Sequence, residues 1–485
     1  MKILSRLPRW TKVAGGLLLI SGLVLAYVGW DRFLRAYPAQ VFDDPDERFK
    51  YGSIGAEQDA GIPYWIFYVL PRVFPDKLPG PGGYAAFGVA WEPGKELPIG
   101  FSKRRIGFDR VANNCSVCHT ASYRTEHQSD PVLVPTGPNH TLDLEAFFRF
   151  LVDCAKDPRF NADTLMAEID LAADLDWIDR LAYRYLIIPI TRKRLVEREQ
   201  QFEWIYRHDF PEWGRGRDDA MNLTKYFMIR WPMDDSFGPT DMPSVWNLAK
   251  YQPDLGHRMN FAGDSHDPYS VVIDSALGLM GAEPKDTDDF LGHIDWLVAY
   301  LSAKPAPIYP FDIDAARVSA GKRVFADRCA RCHASERTGT IIPLAEIGTD
   351  RERMDTWNEK AAAEANAVVE EMGIERNGLV EEPLSGYVAQ FLDGIWLRAP
   401  YLHNGSVPTL YELLLPASQR PTRFYRGYNV YDPVKVGYVI EGVEAERAGT
   451  LHDTAERANS ARGHDFGTDL SEADRWALVE YLKTL

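Results

Sequence analysis

Cysteine is scarce in this chain, and its scarcity excludes a fold held together by disulfides. Only five of the 485 residues are cysteine. Four of them form two close pairs, Cys115 with Cys118 and Cys329 with Cys332, each with a spacing typical of cofactor, metal or redox motifs. Cys154 is left without a partner. It lies at helical spacing among apolar residues, so we expect it to be a small buried apolar residue.

A surplus of positive charge is also missing. The chain has 54 lysines and arginines against 70 aspartates and glutamates, which gives a formal net charge of −16. Proteins that bind nucleic acids need a basic surplus to neutralise phosphates, so we predict no nucleic-acid partner. An acidic surface suits a basic redox partner protein, and we expect a partner of that kind.

Long hydrophobic runs are absent with one exception at the N-terminus. The uncharged run from Val13 to Trp30 has 18 residues, enough for a helix of about 27 Å. It ends in large residues rather than at a small-residue cleavage site, which favours an uncleaved anchor over a signal peptide. Lys2, Arg6, Arg9 and Lys12 precede it and orient the N-terminus inward. We therefore predict a bacterial inner-membrane protein whose folded part faces the periplasm.

Two five-residue segments carry the chemistry of the chain. Cys115–His119 and Cys329–His333 both have two cysteines at i and i+3 followed directly by histidine. Cysteines at this spacing attach the edge of a c-type haem covalently, and the adjacent histidine becomes the proximal ligand of the iron. The sequence therefore predicts two covalently bound haem c groups, with His119 and His333 as iron ligands.

Two other chemistries use paired cysteines. A disulfide redox pair needs only one Cys-x-x-Cys, and two such pairs can build a four-cysteine zinc site. The histidine that follows both pairs weakens these alternatives. The stretch before the second pair also favours haem, because Gly321 and Phe325 lie on an amphipathic helix placed as in cytochrome c domains.

Apolar residues at three- and four-residue spacing predict a mainly α fold. Before the first motif, residues 32–112 are rich in proline, glycine and aromatics and read as long irregular loops. Three prolines in residues 304–310 cannot continue a helix and mark a linker. We predict a cytoplasmic N-terminus at 1–12, a transmembrane helix at 13–30, an N-terminal haem domain with insertions at 31–303, a linker at 304–311 and a C-terminal cytochrome-c-like haem domain at 312–485.

Beyond the second motif the sequence resembles the rubber-oxygenase-like branch of the bacterial dihaem cytochrome c peroxidase superfamily. The resemblance is strong over about Gly321 to Leu485, weaker over Cys115 to Gly278, and absent before Pro93. The segments that carry it are Ile347–Arg351, Leu392–Pro416, Arg420–Tyr425 and Gly463–Thr468. It implies two c-type haems, one with an open or exchangeable distal side and one closed by a second protein ligand.

Carried onto this chain, the resemblance implies that His464 is the distal ligand opposite His333. The residues agree, because His464 lies in a Gly-His-Asp-Phe-Gly loop where glycine lets the backbone approach a flat cofactor. His403, which we interpret as structural, and Tyr425 are weaker candidates for the same position.

The first haem has no comparable distal partner in the sequence. The resemblance implies an open iron opposite His119, but His127 and His140 follow the motif and leave ligation open. The resemblance also implies that Trp246 lies between the haems and that Phe261 lines the distal pocket. An indole there would shorten an electron jump, and a ring would exclude water. Ordinary core packing is the alternative for both aromatics.

These expectations define an oxidoreductase of the peroxidase or oxygenase type. Peroxide or dioxygen would react at the His119 haem, and the haem held by His333 and His464 would relay electrons. The alternative is a non-catalytic electron-transfer cytochrome with both irons six-coordinate. The sequence does not identify the substrate.

Overall fold

The fold is described here from a computed structural model of residues 9–485, with side chains from residue 13 onward. About 44% of the chain is helix and 11% is strand. The mainly helical content predicted from the sequence is therefore confirmed. The predicted cytoplasmic residues Lys2 and Arg6 lie outside the described residues.

The helices, in chain order, are α1 Arg9–Phe33, α2 Pro45–Tyr51, α3 Tyr64–Val73, α4 Leu144–Lys156, α5 Ala162–Ala172, α6 Trp177–Ala182, α7 Ile188–Arg198, α8 Ala220–Phe227, α9 Pro268–Gly278, α10 Thr287–Ala303, α11 Ala315–Arg328, α12 Ala330–His333, α13 Leu344–Ile347, α14 Glu352–Asp355, α15 Glu359–Glu371, α16 Leu410–Leu413, α17 Val443–Ala448 and α18 Glu472–Leu482. A π-helical turn at Tyr183–Ile187 joins α6 to α7.

The strands are short and form six small antiparallel sheets. They are β1 Ile62–Pro63, β2 Phe101–Ile106, β3 Phe108–Asn113, β4 Thr120–Tyr123, β5 Val132–Pro135, β6 Arg217–Asp218, β7 Thr240–Asp241, β8 Ile341–Pro343, β9 Gly386–Val388, β10 Arg423–Arg426, β11 Tyr431–Asp432, β12 Gly437–Tyr438 and β13 Thr450–Asp453. The largest has three strands in the order β1-β3-β2, and the other five are pairs.

The expectation of irregular loops over residues 32–112 is wrong where helices α2 and α3 form, and it is wrong again for the last part of that stretch. Strands β2 and β3 form a hairpin that pairs Ile106 with Phe108 across Gly107. Gly107 has a φ of +70°, and a Cβ there would lie 2.5 Å from the backbone of Phe33. A residue with a side chain does not fit this turn. Gly107 therefore allows a β-hairpin in a stretch that we predicted to be a loop.

Helix α1 is the one helix within residues 9–485 that is long and apolar enough to cross a membrane. Its apolar part, Val13–Phe33, has a mean hydropathy of 2.0 and none of it is buried. It is compatible with the predicted anchor. At its end, Arg32 pairs with Asp176 at 2.9 Å and with Asp179 at 2.6 Å, so the helix end is tied to α6.

Helices α11 and α18 pack so closely at Gly321 that a side chain at this position would not fit. A Cβ on Gly321 would lie 1.9 Å from the carbonyl oxygen of Ala477. Phe325, one turn later, is buried in the same contact, with its ring 5.1 Å from that of Tyr481. Ser471 caps α18 by accepting a hydrogen bond from the Asp474 N–H at 3.1 Å, as the sequence predicts. This helix pair places the second cysteine motif.

Candidate functional site: two cavities bordered by cysteine–histidine motifs

The first cysteine motif forms a single 3₁₀ turn at Cys115–Val117 that is capped by Asn114. After the turn, Nδ1 of His119 lies 2.8 Å from the carbonyl oxygen of Pro243. A carbonyl can only accept, so Nδ1 carries the proton and Nε2 keeps its lone pair. Burial lowers the pKa of His119 to about 4, which keeps the ring in the neutral, metal-binding form.

The second motif begins at the end of α11 and continues through α12. Nδ1 of His333 lies 3.0 Å from the carbonyl oxygen of Gln390, the same arrangement as in the first motif. Metal-bound histidines usually donate their other ring N–H to a carbonyl or carboxylate, which fixes the orientation of the ring. Both motif histidines therefore have the tautomer that a proximal iron ligand needs.

His464 lies opposite His333 across the second cavity. Both rings border this cavity together with Cys329 and Cys332. The centroids of the two imidazoles are 6.3 Å apart. Two metal–imidazole bonds of about 2.0 Å, each extended by the ring radius of about 1.1 Å, need a separation of about 6.2 Å. The spacing fits one iron between the two rings.

The loop that presents His464 is built from close backbone contacts. Its N–H donates to the carbonyl oxygen of Ile347 at 2.7 Å, and its φ is +51°. A Cβ on Gly463 would lie 2.3 Å from the backbone of Gly348, so glycine is required there. Burial first, then the nearby His333 and Arg420, lower the pKa of His464 to about 3.

The two weaker candidates for this position differ in where they lie. His403 borders the second cavity, and its ring stacks on Tyr387 with centroids 4.1 Å apart. Tyr425 lies in β10, paired with Leu451, and borders neither cavity. His403 is thus near the site but held by an aromatic partner.

The first cavity has a different set of walls. Cys115, His119, Trp246 and Phe261 border it. Among the side chains of residues 13–485, His119 is the only histidine that does so. The first cavity therefore presents one imidazole, whereas the second presents three, those of His333, His464 and His403.

One ring nitrogen of His140 and one of His127 are hydrogen-bonded outside the first cavity. Nε2 of His140 accepts a hydrogen bond from the Gly427 N–H at 3.0 Å, and its buried ring stacks on Tyr438. Nδ1 of His127 lies 2.8 Å from the hydroxyl of Tyr428, near the surface. Neither side chain borders the first cavity.

One thin wall separates the two cavities. Its residues border both of them: Pro243, Ser244, Phe261, Gln390 and Arg398. The carbonyl of Pro243 holds His119, and that of Gln390 holds His333. Phe261 is thus shared by the cavities rather than confined to the first.

Trp246 lies beside this wall, within the first cavity. Its Nε1–H donates to the carbonyl oxygen of Asp393 at 2.9 Å, and the Arg398 guanidinium lies 5.4 Å from its ring centroid. Arg398 donates in turn to the carbonyl oxygens of Phe391 and Asp393, at 2.7 and 2.8 Å. The indole is therefore fixed from two sides.

Two charged residues of the first cavity were missed in the sequence. Arg353 is 3% exposed and donates to Asp264 at 2.8 Å, while its Nε and Nη1 have no partner. Burial and the neighbouring carboxylate of Asp219 raise the pKa of Asp218 to about 7. Neither residue belongs to a motif singled out in the sequence. No sequence signal separates them from ordinary surface residues.

The donor set fits haem c at both motifs. Cys115 and His119 border the first cavity, and Cys329, Cys332 and His333 border the second. In the second cavity His464 also lies at a distance from His333 that fits one iron between them. The unpartnered nitrogens of Arg353 offer a buried cation for an anionic group in the first cavity. Among the described residues no cluster of three or more His, Cys, Asp or Glu side chains is arranged to bind a metal ion directly. The four-cysteine zinc alternative therefore gains no support.

Comparison with known proteins points to the same chemistry. Residues 386–425 match the sequence profile of the RoxA-like, cytochrome c-like family. This match supports a rubber-oxygenase-like dihaem cytochrome at a coarse level and implies covalently bound haem c. It covers Gln390, the shared wall residue Arg398 and the loop of His403.

Two relatives in Sinorhizobium fredii cover more of the chain. The chain is 34% identical to the uncharacterized protein y4iM over 287 residues, which is 50% of this chain and 64% of the relative. It is 43% identical to the uncharacterized protein y4iJ over 122 residues, which is 23% of this chain and 20% of the relative. The chain thus matches less than two thirds of the length of either relative, and neither name assigns an activity.

Proposed function

We propose that this chain is a membrane-anchored, periplasmic dihaem c-type cytochrome that acts as an oxidoreductase of the peroxidase or oxygenase type. The observation that carries the proposal is the asymmetry between the cavities. The second is bordered by His333 and His464 at a distance that fits one iron, whereas His119 is the only histidine among the side chains of residues 13–485 that borders the first. The division into haem domains at 31–303 and 312–485 belongs to this proposal.

When bound, haem c supplies electron transfer and, where one axial side has no protein ligand, a place for peroxide or dioxygen. The chain's own part is to hold and separate the two sites. The carbonyls of Pro243 and Gln390 fix the proximal rings, and His464 closes one distal side. Trp246, held by Asp393 and Arg398, provides an aromatic path beside the shared wall. Phe261 excludes water at the same wall.

Asp218 adds a proton site to the first cavity. A carboxyl group with a pKa raised to about 7 holds its proton near neutral pH and can release it there. Reduction of peroxide or dioxygen consumes protons, so a titrating group beside the reactive side suits the first cavity. The second cavity, bordered by His333 and His464, is suited to relaying electrons, and a soluble basic redox protein is the expected partner.

Carbon monoxide binding to the reduced, full-length protein tests the proposal. We expect one carbon monoxide for every two haems, and two for every two haems after His464→Ala. Replacing Trp246 or Phe261 should alter the rate of reaction with peroxide without detaching either haem. Failure of the reduced and mixed-valence protein to bind carbon monoxide, together with binding gained by His140→Ala, would instead support the non-catalytic electron carrier with both irons six-coordinate.

A further inference from the structure

A third cavity, of about 830 Å³, has no cysteine or histidine of either motif in its wall and lies next to the end of the predicted anchor. It shares Leu279 with the first cavity. Phe33 and Leu34, at the end of α1, form part of its wall. The three-stranded sheet, α4 and α7 form most of the rest. Cavities of this size accept ligands as large as a drug or a lipid chain.

The interior and the mouth of this cavity differ in chemistry. Aromatic rings line the interior, including Phe67, Phe101, Phe147, Phe202 and Phe227. Five cationic side chains border it, against three acidic ones, Asp59, Glu197 and Glu283. The cations are Arg110, Arg194, Arg198, Arg230 and Lys285. A local positive surplus in a chain with a net charge of −16 requires an explanation.

The arginines are not fully neutralised by the protein. Nε of Arg110 is buried without a hydrogen-bond partner. Burial and the charge of Arg194 lower the pKa of Arg110, and burial and the charge of Arg230 lower that of Arg198. Arg230 reaches Glu283 only at 3.5 Å. An anion placed among these groups would relieve repulsion and gain charge-assisted hydrogen bonds.

The segment beside the cavity has the character of a membrane-surface helix. Within residues 177–198, Trp177 and Tyr185 are 71% and 70% exposed, and Leu186 and Ile190, which line the cavity, are 43% and 42% exposed. The same segment carries six lysines and arginines against two acidic residues. Basic helices with exposed aromatic and aliphatic residues lie in the headgroup region of anionic bilayers. Arg32 ties this segment to the end of α1.

We propose that the third cavity binds an anionic amphiphile, with its apolar chain among the phenylalanines and its acidic head at the arginines of the mouth. This inference rests on the membrane-anchor part of the proposed function, because the bilayer is the source that the position of α1 favours. A free fatty acid has the same chemistry and could reach the cavity from solution.

Binding of three probes to the full-length holoprotein tests this proposal. The probes are oleate, oleyl alcohol, and nanodiscs of phosphatidylcholine with or without phosphatidylglycerol. We expect oleate to bind one to one and oleyl alcohol about tenfold more weakly, because the alcohol lacks the charge. Preferential copurification of phosphatidylglycerol from mixed nanodiscs would assign the bilayer as the source, and binding of oleate alone would assign free fatty acid. Equal affinity for alcohol and oleate, or binding of none of the probes, would overturn the proposal.

Matched variants separate the cavity from general surface charge. Arg194→Gln removes an exposed cation at the mouth, and Arg180→Gln removes an exposed cation of the same segment that does not border the cavity. Only the first should weaken oleate binding, by about tenfold. Equal losses in both variants would reduce the effect to surface electrostatics and contradict the site. Leu195→Trp, which fills the cavity from α7, should abolish binding without changing the cations.

Two further measurements separate amphiphile binding in the third cavity from the proposed haem chemistry. Haem content and carbon monoxide binding are measured on the same samples and do not depend on the third cavity. Sequencing of the mature N-terminus shows independently whether α1 is retained.

Discussion

The two Cys-x-x-Cys-His motifs are alike in sequence and in the hydrogen bond that orients each histidine, yet the cavities beside them differ. Opposite His333, a glycine-flanked loop brings His464 to a centroid distance of 6.3 Å. The first cavity is bordered by Trp246, Phe261 and Asp218 and, among the described side chains, by no histidine besides His119. Met221 and Met259, whose thioethers can also bind haem iron, border it as well. The motif therefore sets the proximal side of a site, and the rest of the fold sets what the site can do.

The largest effect should come from removing one cysteine pair at a time. The double variant C115A/C118A should retain only the second haem, and C329A/C332A only the first, because the proposed function assigns one porphyrin to each pair. Pyridine haemochrome spectra of denatured protein should show two haems per chain in the unaltered protein and one in each variant. A single haem in the unaltered protein, or bound zinc in place of haem, would contradict the assignment of one haem to each motif.

Removing His464 should change the second site alone. In His464→Ala the second iron loses a nitrogen ligand, so about half of the haem should become high-spin. His464→Met should restore the low-spin spectrum at a higher reduction potential, because methionine is also an axial ligand but favours the reduced iron. Electron paramagnetic resonance distinguishes these states.

His403→Ala is the matched control, since His403 borders the same cavity but stacks on Tyr387. Its spectrum should remain low-spin. If His403→Ala becomes high-spin and His464→Ala does not, the ligand assignment is reversed.

The proximal sides could be predicted from sequence because their chemistry is local. Cys115, Cys118 and His119 lie within five residues, and so do their counterparts in the second motif. His464 could be predicted only through its glycine-rich loop and the family resemblance. The Pro243 and Gln390 carbonyls could not be predicted, because every residue carries a carbonyl and only the fold selects these two.

Charged residues of the first cavity were beyond sequence reasoning for a different reason. Arg353 and Asp218 are buried at the first cavity, whereas charged residues in such segments are usually exposed. The hairpin at Gly107 was missed because its turn depends on close contact with Phe33, a residue far away in the chain. The partners of His140 and His127, Gly427 and Tyr428, could not be predicted either, because they lie about 300 residues away in the chain.

The helix pair that carries the second motif should be sensitive to a single methyl group. Gly321→Ala would place Cβ 1.9 Å from the Ala477 carbonyl oxygen, so α11 and α18 must separate. We expect a loss of about 2–4 kcal/mol in the free energy of unfolding, measured by denaturant titration of the holoprotein.

Gly292→Ala is the control for Gly321→Ala, because Gly292 is also helical, in α10, but has open space around its Cβ position. It should be neutral or stabilise the protein by up to about 1 kcal/mol. Equal effects of the two substitutions would show that helix packing at Gly321 is not the cause.

The smallest expected effect concerns the pH dependence of stability and comes from Asp218 in the first cavity. Burial raises its pKa to about 7, so the folded state holds this proton more tightly than the unfolded chain does. Its contribution to stability is therefore complete below about pH 4, declines as pH rises, and is lost once pH passes about 7. Asp218→Asn removes this titration, so we expect the variant to gain stability relative to the unaltered protein as pH rises from about 5 to about 8. Thermal unfolding of the holoprotein across this range measures the change.

Asp235→Asn, at an exposed position away from both cavities, should leave the pH profile unaltered. A profile for Asp218→Asn parallel to that of the unaltered protein would mean that Asp218 ionises normally, and the first cavity would lose its proposed proton site.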